Sequence, residues 1–109
     1  MATNNQFDSL LRALTKKQYT EQQKIAVWNK ARWVSGYNPA HVRADACGAL
    51  IEWRRYGDTT SRYGWEIDHV RPESRGGTDD IINLQPLQWQ NNRSKGDGLA
   101  LNYCVVRSY

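Results

Sequence analysis

The chain has 109 residues, a net charge of +4 at pH 7 and an isoelectric point near 9.3. This length suits one small domain with a modest core, so we predict a single domain over residues 1–109. The sequence has no signal peptide and no apolar run of membrane length, which argues against a membrane protein and favours the cytoplasm. Cys47 and Cys104 form no Cys-x-x-Cys pair, so no cysteine-type zinc site is readable. We expect reduced thiols, with a disulfide between them as the alternative.

The charged residues are unevenly distributed along the chain. Residues 1–43 carry seven Lys or Arg against two Asp or Glu, whereas residues 44–109 carry eight against nine. A basic first part favours a polyanionic partner, although a soluble surface can also be basic without any such partner. The slightly acidic second part is expected if acidic side chains there hold a cation.

The first third of the chain is predicted to be helical. Apolar residues at positions 7, 10, 11 and 14 follow a three-four spacing, which predicts a short amphipathic helix. Thr20 lies three residues before Gln23, a capping-box pattern that predicts the start of a second helix. The apolar stripe of this helix continues to about Gly36, where glycine would end it. Residues 1–36 are therefore predicted to form a helical support.

The rest of the chain is predicted to contain short strands and one short helix. Strands are expected over residues 47–53, 65–70 and 81–87, where apolar runs are bounded by turn residues. Pro72 prevents the second of these strands from continuing. A two-turn helix is expected from residue 88 or 89 to about Lys95, and the tail 99–109 is expected to add a closing strand.

Three short motifs follow one another within residues 65–97. Residues 68–77 read DHVRPESRGG, residues 83–87 read NLQPL and residues 91–95 read NNRSK. Each motif alone has an ordinary explanation, as a surface Asp-His pair, a turn residue or a helix cap. Their order and spacing taken together make coincidence a poor explanation and indicate a site.

The residue types in these motifs suit hydrolysis of a phosphodiester bond. The reaction requires that an attacking water loses a proton and that the negative charge on the phosphate and leaving group is countered. A neutral histidine accepts a proton near neutral pH. A carboxylate with a carboxamide from residues 91–95 is a hard oxygen donor set that suits Mg²⁺ or Mn²⁺. Asp68 and His69 can share one site only where their strand ends near Pro72, because neighbouring strand residues face opposite sides.

On these motifs, residues 65–97 resemble the HNH nuclease family. The core of that family is the ββα-metal fold, in which two short antiparallel strands, a loop and a helix surround one divalent ion. The resemblance covers about a third of the chain. It implies an α+β domain, with a small ββα-metal core over residues 65–97 and the N-terminal helices packed on a short antiparallel hairpin.

The resemblance also implies a role for each motif residue. His69 would be the general base that activates water, while Asp68 and Asn92 would hold one divalent ion, Mg²⁺ or Mn²⁺. Asn83 would brace the loop so that the ring of His69 is held in place. Asn92 stands where the third letter of the family name is a histidine, so the chain would be an HNN variant.

Further residues near the motifs are candidates for contacts with substrate. Arg93 and Lys95 are expected near the phosphate that is cut or its neighbours, and Arg71 is a further nucleic-acid-binding candidate. Glu66 lies on the same side of the strand as Asp68. It would be either an auxiliary acid or a surface residue, and the surface reading is slightly favoured.

Many relatives carry two Cys-x-x-Cys pairs that bind a structural zinc around this core. In this chain the pairs would fall at positions 44 and 47 and at positions 88 and 91, of which only Cys47 is a cysteine. We therefore predict no structural zinc.

The function implied by the resemblance is that of an endonuclease which hydrolyses phosphodiester bonds of DNA, with double-stranded DNA expected. The alternative is a non-catalytic module that binds nucleic acid on the same fold, and the intact motif set favours the enzyme. Cutting both strands together needs two sites, which would suit a homodimer or a larger protein complex. The sequence does not indicate a sequence specificity or a biological role.

Overall fold

A computed structural model describes residues 17–98 and 102–108. In that part of the chain two α-helices and two antiparallel hairpins are present, so the predicted α+β class is confirmed. The elements in chain order are α1 (Glu21–Trp28), β1 (Val42–Ala44), β2 (Leu50–Glu52), β3 (Trp65–His69), β4 (Leu84–Gln88) and α2 (Trp89–Lys95). The amphipathic helix predicted around positions 7–14 lies outside the described residues.

Helix α1 begins where the capping box predicts. The backbone N–H of Gln23 donates to Thr20 Oγ1 at 3.1 Å, and the Thr20 N–H donates to Gln23 Oε1 at 2.9 Å. The predicted end near Gly36 is wrong, because α1 stops at Trp28. Arg32 instead exchanges two backbone hydrogen bonds with Ala44, the last residue of β1. The predicted helix was too long because Ala31 is buried in the same core although it lies beyond the end of the helix.

The first hairpin pairs β1 with β2, with Arg43 opposite Ile51. The strand predicted over residues 47–53 is therefore present only over Leu50–Glu52. Residues before it form a turn, because Asp45 Oδ1 accepts hydrogen bonds from the backbone N–H groups of Cys47 and Ala49, each at 2.9 Å. This turn brings the buried Asp45 carboxylate to the second hairpin.

The second hairpin pairs β3 with β4, from Trp65 opposite Gln88 to His69 opposite Leu84. The predicted strand 65–70 is one residue too long, and the predicted strand 81–87 starts too early. A short 3₁₀ turn, Ile81–Asn83, precedes β4. Helix α2 follows β4 directly, with Gln88 as its N-cap, and this helix agrees with the prediction.

An aromatic cluster joins α1 to the second hairpin. Trp65 is fully buried, and its ring centroid lies 5.2 Å from that of Trp28, 5.9 Å from Trp53 and 4.9 Å from Tyr56. Ring pairs at these distances add to the burial of large apolar surfaces. The hairpin that carries the Asp-His pair is therefore held against the preceding part of the chain, as predicted.

The tail does not form the predicted closing strand in its described part, residues 102–108. It is held instead by a disulfide between Cys47 and Cys104, whose Cα atoms are 5.5 Å apart. The backbone N–H groups of Val105 and Val106 both donate to Asn91 Oδ1 at 2.8 Å. The expectation of reduced thiols is wrong for these two cysteines, whereas the cytoplasmic location stays a prediction.

A buried polar group occupies the region where relatives would place zinc cysteines. We call it the Asp45 cluster, and it consists of Asp45, Gln88 and Asn91, all almost fully buried. Asp45 Oδ2 accepts from the Gln88 backbone N–H at 2.9 Å and from Asn91 Nδ2 at 3.1 Å. These bonds, together with the disulfide, connect the first hairpin, the second hairpin, α2 and the tail.

Candidate active site

The end of β3, the loop after it and helix α2 surround a cleft of 230 Å³. Asp68, His69 and Asn92 all line it, so the structure brings together three of the four residues that the motifs single out. The cleft wall also includes Ile67, Pro72, Glu73, Ser74, Gly96 and Asp97. Asp68 and His69 reach the same cleft because β3 ends at His69, where the backbone turns toward Pro72.

Asp68 is a buried carboxylate, with 7% of its surface exposed. Its Oδ2 accepts from Gln85 Nε2 at 2.9 Å, and Lys95 Nζ lies 3.1 Å from Oδ2 and 3.3 Å from Oδ1. Burial raises the pKa of Asp68, although Gln85 and Lys95 both act to lower it. The surroundings therefore compensate the negative charge of Asp68 only in part.

Lys95 lies inside the protein rather than on a surface that could contact a phosphate. Its side chain is 4% exposed, and besides Asp68 the ammonium donates to the backbone oxygen of His69 at 2.9 Å. The expected phosphate contact is therefore not what the structure shows for this residue. Instead, Lys95 ties the end of β3 to α2.

Asn92 and Glu66 form a second link between α2 and β3. Asn92 Nδ2 donates to Glu66 Oε1 at 3.0 Å, and Glu66 is only 5% exposed. The slightly favoured reading of Glu66 as a surface residue is therefore wrong. Because the amide nitrogen of Asn92 points to Glu66, its carboxamide oxygen is the side-chain atom that can accept a hydrogen bond or bind a metal ion.

His69 faces two carboxylates of the following loop. Its Nε2 lies 2.7 Å from Asp79 Oδ1 and 3.9 Å from Glu73 Oε1. Lys17 reaches the same two acids, with Nζ 2.9 Å from both Asp79 oxygens and 2.7 Å from Glu73 Oε2. Hydrogen bonds from Lys17 and then from His69 lower the pKa of Asp79.

These contacts create a second group of metal-ligand types that the sequence did not suggest. Among the described residues, ligand atoms of His69, Glu73 and Asp79 all lie within 4.8 Å of one another. The Lys17 ammonium already binds both carboxylates of this group. His69 therefore belongs to two groups of possible metal ligands. One is the cleft group with Asp68 and Asn92, and the other is the loop group with Glu73 and Asp79.

Asn83 lies behind the cleft and fastens the loop that follows β3. Its Oδ1 accepts from the Arg71 N–H at 2.9 Å, and its Nδ2 donates to the oxygens of Arg71 and Thr78 at 3.1 and 2.8 Å. The backbone N–H of Val70 also donates to the backbone oxygen of Asn83 at 2.8 Å. The loop packs so closely that a Cβ at Gly77 would lie 1.7 Å from the Arg71 oxygen. This closeness explains the requirement for glycine there.

The two remaining basic candidates lie outside the wall of the cleft. Arg71 is exposed, and its Nε donates to the backbone oxygen of Arg75 at 2.9 Å. Arg93 is partly buried and lies over the Trp89 ring, with its guanidinium carbon 4.9 Å from the centroid. Neither side chain is among those that line the cleft.

Sequence reasoning missed Gln85, Asp79 and Lys17 as parts of this site. Gln85 lies opposite Asp68 in the hairpin, so the strand register would have revealed it. Asp79 lies two residues after the first motif ends at Gly77, and a loop acid near a motif histidine is a candidate partner. Lys17 is 62 residues from Asp79, and no local pattern signals that contact.

Comparisons with known proteins give one result. Residues 45–98 match the family model described as HNH endonuclease. Neither the curated proteins nor the solved structures gave a match. Within residues 17–98 and 102–108, no helix has the length and apolar character needed to cross a membrane.

Proposed function

Because the chain belongs to the HNH endonuclease family through residues 45–98, we propose that it is a metal-dependent endonuclease that hydrolyses phosphodiester bonds of DNA. The observation that carries this proposal is the single cleft lined by Asp68, His69 and Asn92. A base and two oxygen ligands in one opening are the groups that the reaction requires.

His69 is proposed as the general base. Its side chain is 13% exposed, so the ring is held in place but still reaches solvent in the cleft. The Asp79 carboxylate at Nε2 favours a proton on that nitrogen, which leaves Nδ1 to accept the proton of an attacking water. General-base catalysis of this kind contributes about 10²- to 10⁴-fold to the rate.

Asp68 and Asn92 are proposed to hold one divalent ion, and the donor set fits that ion. A carboxylate and a carboxamide oxygen suit Mg²⁺ or Mn²⁺, with water and phosphate oxygens completing the shell. Burial raises the pKa of Asp68, so a cation beside this carboxylate would stabilise its charged form. Hydrogen bonds from Lys17 and then from His69 lower the pKa of Asp79, whose charged form is therefore already stabilised. When bound, the ion counters charge on the phosphate and leaving oxygen.

The residues around this pair are proposed to support it. Lys95 and Gln85 orient the Asp68 carboxylate, and Glu66 orients the Asn92 carboxamide. Asn83 holds Arg71 and Thr78 in the loop that carries the His69 partners. Such outer partners hold reacting groups within the narrow limits that catalysis tolerates.

DNA is proposed as the partner, with double-stranded DNA favoured and the exposed Arg71 and the partly buried Arg93 as phosphate contacts. The basic balance of residues 1–43 favours a polyanion near the N-terminal part. A homodimer or larger complex would supply a second site for cutting both strands together. The cytoplasmic location rests on the sequence, and the disulfide between Cys47 and Cys104 argues against it, because disulfides are rare in that compartment.

The test is cleavage of a plasmid with Mg²⁺ or Mn²⁺, comparing the native protein with His69→Ala and His41→Ala. His41 is exposed and serves as the matched control, because it is the other histidine of the chain. We expect His69→Ala to lose about 10²- to 10⁴-fold in rate and His41→Ala to keep the native rate. Equal cleavage by all three proteins would overturn the assignment of the base.

The metal assignment and the non-catalytic alternative need separate measurements. Calorimetric titration with Mn²⁺ should show weaker binding by Asn92→Ala, and little change in Glu73→Ala. The reverse order would assign the metal to the His69, Glu73 and Asp79 group instead. Retained DNA binding without cleavage under every metal tested would favour a module that only binds nucleic acid.

A further inference from the structure

His69 contacts Asp79, and Asp79 in turn contacts Lys17, which lies outside the residues that match the family model. Its Nε2 lies 2.7 Å from Asp79 Oδ1, and each oxygen of Asp79 lies 2.9 Å from Lys17 Nζ. Lys17 also donates to Glu73 Oε2 at 2.7 Å. The family match begins only at residue 45. A side chain from the N-terminal part therefore reaches the partner of the proposed base.

We propose that Asp79 and Lys17 are positioning residues for His69, an inference that rests on the function proposed above. Asp79 accepts the hydrogen bond of Nε2 and so fixes the tautomer and the direction of the ring. Lys17 holds the Asp79 carboxylate in place for that bond. Neither residue touches the reacting atoms.

The role of Asp79 follows from the two nitrogens of a neutral imidazole. One nitrogen carries a proton and the other accepts, and a neighbouring group decides which. A carboxylate can only accept, so at 2.7 Å it selects the form protonated at Nε2. Glu73 Oε1 is 3.9 Å away, beyond hydrogen-bond length. Asp79 is therefore the residue that selects the tautomer.

The role of Lys17 follows from the exposure of its partners. The side chains of Glu73 and Asp79 are 56% and 49% exposed, and that of Lys17 is 37% exposed. Ion pairs this exposed contribute little to the stability of a fold. Stability alone therefore gives a weak reason for three charged groups to converge on one ring. Positioning of His69 gives a direct reason, because Lys17 restrains the loop acid that the ring needs.

The first experiment measures plasmid cleavage by the full chain with Asp79→Asn and with Asp80→Asn. Asp80 is the matched control, since it is an exposed neighbour that bonds Thr78 rather than the histidine. We expect Asp79→Asn to lower kcat about 10- to 100-fold with KM unchanged, as for other outer partners of catalytic groups. Asp79→Glu should recover part of the loss, and Asp80→Asn should keep the native kcat. Equal kcat values for Asp79→Asn and Asp80→Asn would overturn the proposal.

The second experiment tests whether Lys17 acts through Asp79. Lys17→Met keeps an unbranched side chain of similar size and removes its charge, and we expect a smaller loss of kcat than in Asp79→Asn. The double variant should be no slower than Asp79→Asn alone, because coupled residues are not additive. Losses that multiply would show that Lys17 acts by another route and would remove it from the proposal.

A third measurement does not depend on cleavage. Nitrogen-proton correlation spectra of the histidine rings report the tautomer, and the chain has only two histidines, so His41→Asn identifies the signals of His69. At a pH where the ring is neutral, we expect the form protonated at Nε2, and a mixture in Asp79→Asn. A form protonated at Nδ1 in the native protein would overturn the inference. Absent cleavage with the expected tautomer would instead contradict the proposed function alone.

Discussion

The two ends of the hairpin β3–β4 differ in what their polar residues do. At the end where Trp65 faces Gln88, the Asp45 cluster is buried and its acid accepts four hydrogen bonds from backbone and amide groups. At the end where His69 faces Leu84, the side chains of Asp68, His69 and Asn92 line a cleft that is open to solvent. We call these the closed end and the open end.

The difference shows how one small hairpin separates stability from chemistry. Buried polar groups with every partner supplied fix a unique arrangement and cost much when a partner is removed. Exposed charged groups add little stability, but they remain available to water and to a substrate. Substitutions at the closed end should therefore change the free energy of unfolding, and those of exposed residues at the open end should change the rate of cleavage.

The largest effect is expected from removal of the disulfide at the closed end. Cys47 and Cys104 are 57 positions apart, and a cross-link that closes a loop of this length stabilises a fold by about 4 kcal/mol in the chain-entropy description. The double variant Cys47→Ala, Cys104→Ala should lose about that amount in urea unfolding, while the folded fraction keeps its cleavage rate. Dithiothreitol should lower the stability of the native protein and leave the double variant unchanged. Free thiols in the native protein, found by mass spectrometry, would contradict the disulfide.

The next effect is expected from Asp45→Ala, which leaves four donors of the closed end without their acceptor. Two are the backbone N–H groups of Cys47 and Ala49, and two belong to Gln88 and Asn91. The loss should be about 3 kcal/mol in urea unfolding, since buried donors that lose a partner are costly. Asp80→Ala, at an exposed acid of the open end, should change stability by less than about 0.5 kcal/mol. Similar losses in both variants would remove the distinction between the ends.

The sequence predicted the parts of both ends that depend on local signals. The capping box at Thr20 gave the start of α1, Pro72 gave the end of β3, and helix α2 lies where its pattern indicated. The spacing of Asp68, His69 and Asn92 also identified side chains that line one cleft. The helix and strand limits depend on neighbours a few residues away. The cleft residues belong to motifs whose spacing is typical of one fold.

The parts that escaped prediction are contacts between distant positions. Asp45 and Asn91 are 46 residues apart, and Lys17 and Asp79 are 62 apart. Nothing in the local pattern of Lys17 distinguishes it from any other solvated lysine. Lys95 was misjudged because a lysine after an asparagine on a short helix suggests a phosphate contact, whereas the packing of α2 on β3 turns its ammonium to Asp68. These contacts depend on how distant segments pack together, which no local sequence pattern indicates.

A moderate effect is expected from Asn83→Ala at the open end. The change removes the three side-chain bonds that hold Arg71 and Thr78, so the loop that carries the partners of His69 would loosen. We expect kcat for plasmid cleavage to fall about 10- to 100-fold, as for other groups that support a catalytic residue. Mn²⁺ affinity should change little, because Asn83 does not line the cleft. A larger loss in Mn²⁺ affinity than in kcat would show that the role of Asn83 is misassigned.

The smallest effect is expected on DNA binding when an exposed arginine is neutralised. The comparison uses one arginine at each end of the hairpin. Arg71 lies on the loop at the open end, whereas Arg107 lies in the tail beside Cys47 at the closed end. Arg71→Gln and Arg107→Gln remove the same charge, so the overall field of the protein changes equally. If Arg71 contacts a phosphate, its loss should lower the slope of log K against log salt by about one, with binding to duplex DNA weakened at every sequence. Arg107→Gln should keep the native slope, and equal slopes in both variants would place the DNA elsewhere on the surface.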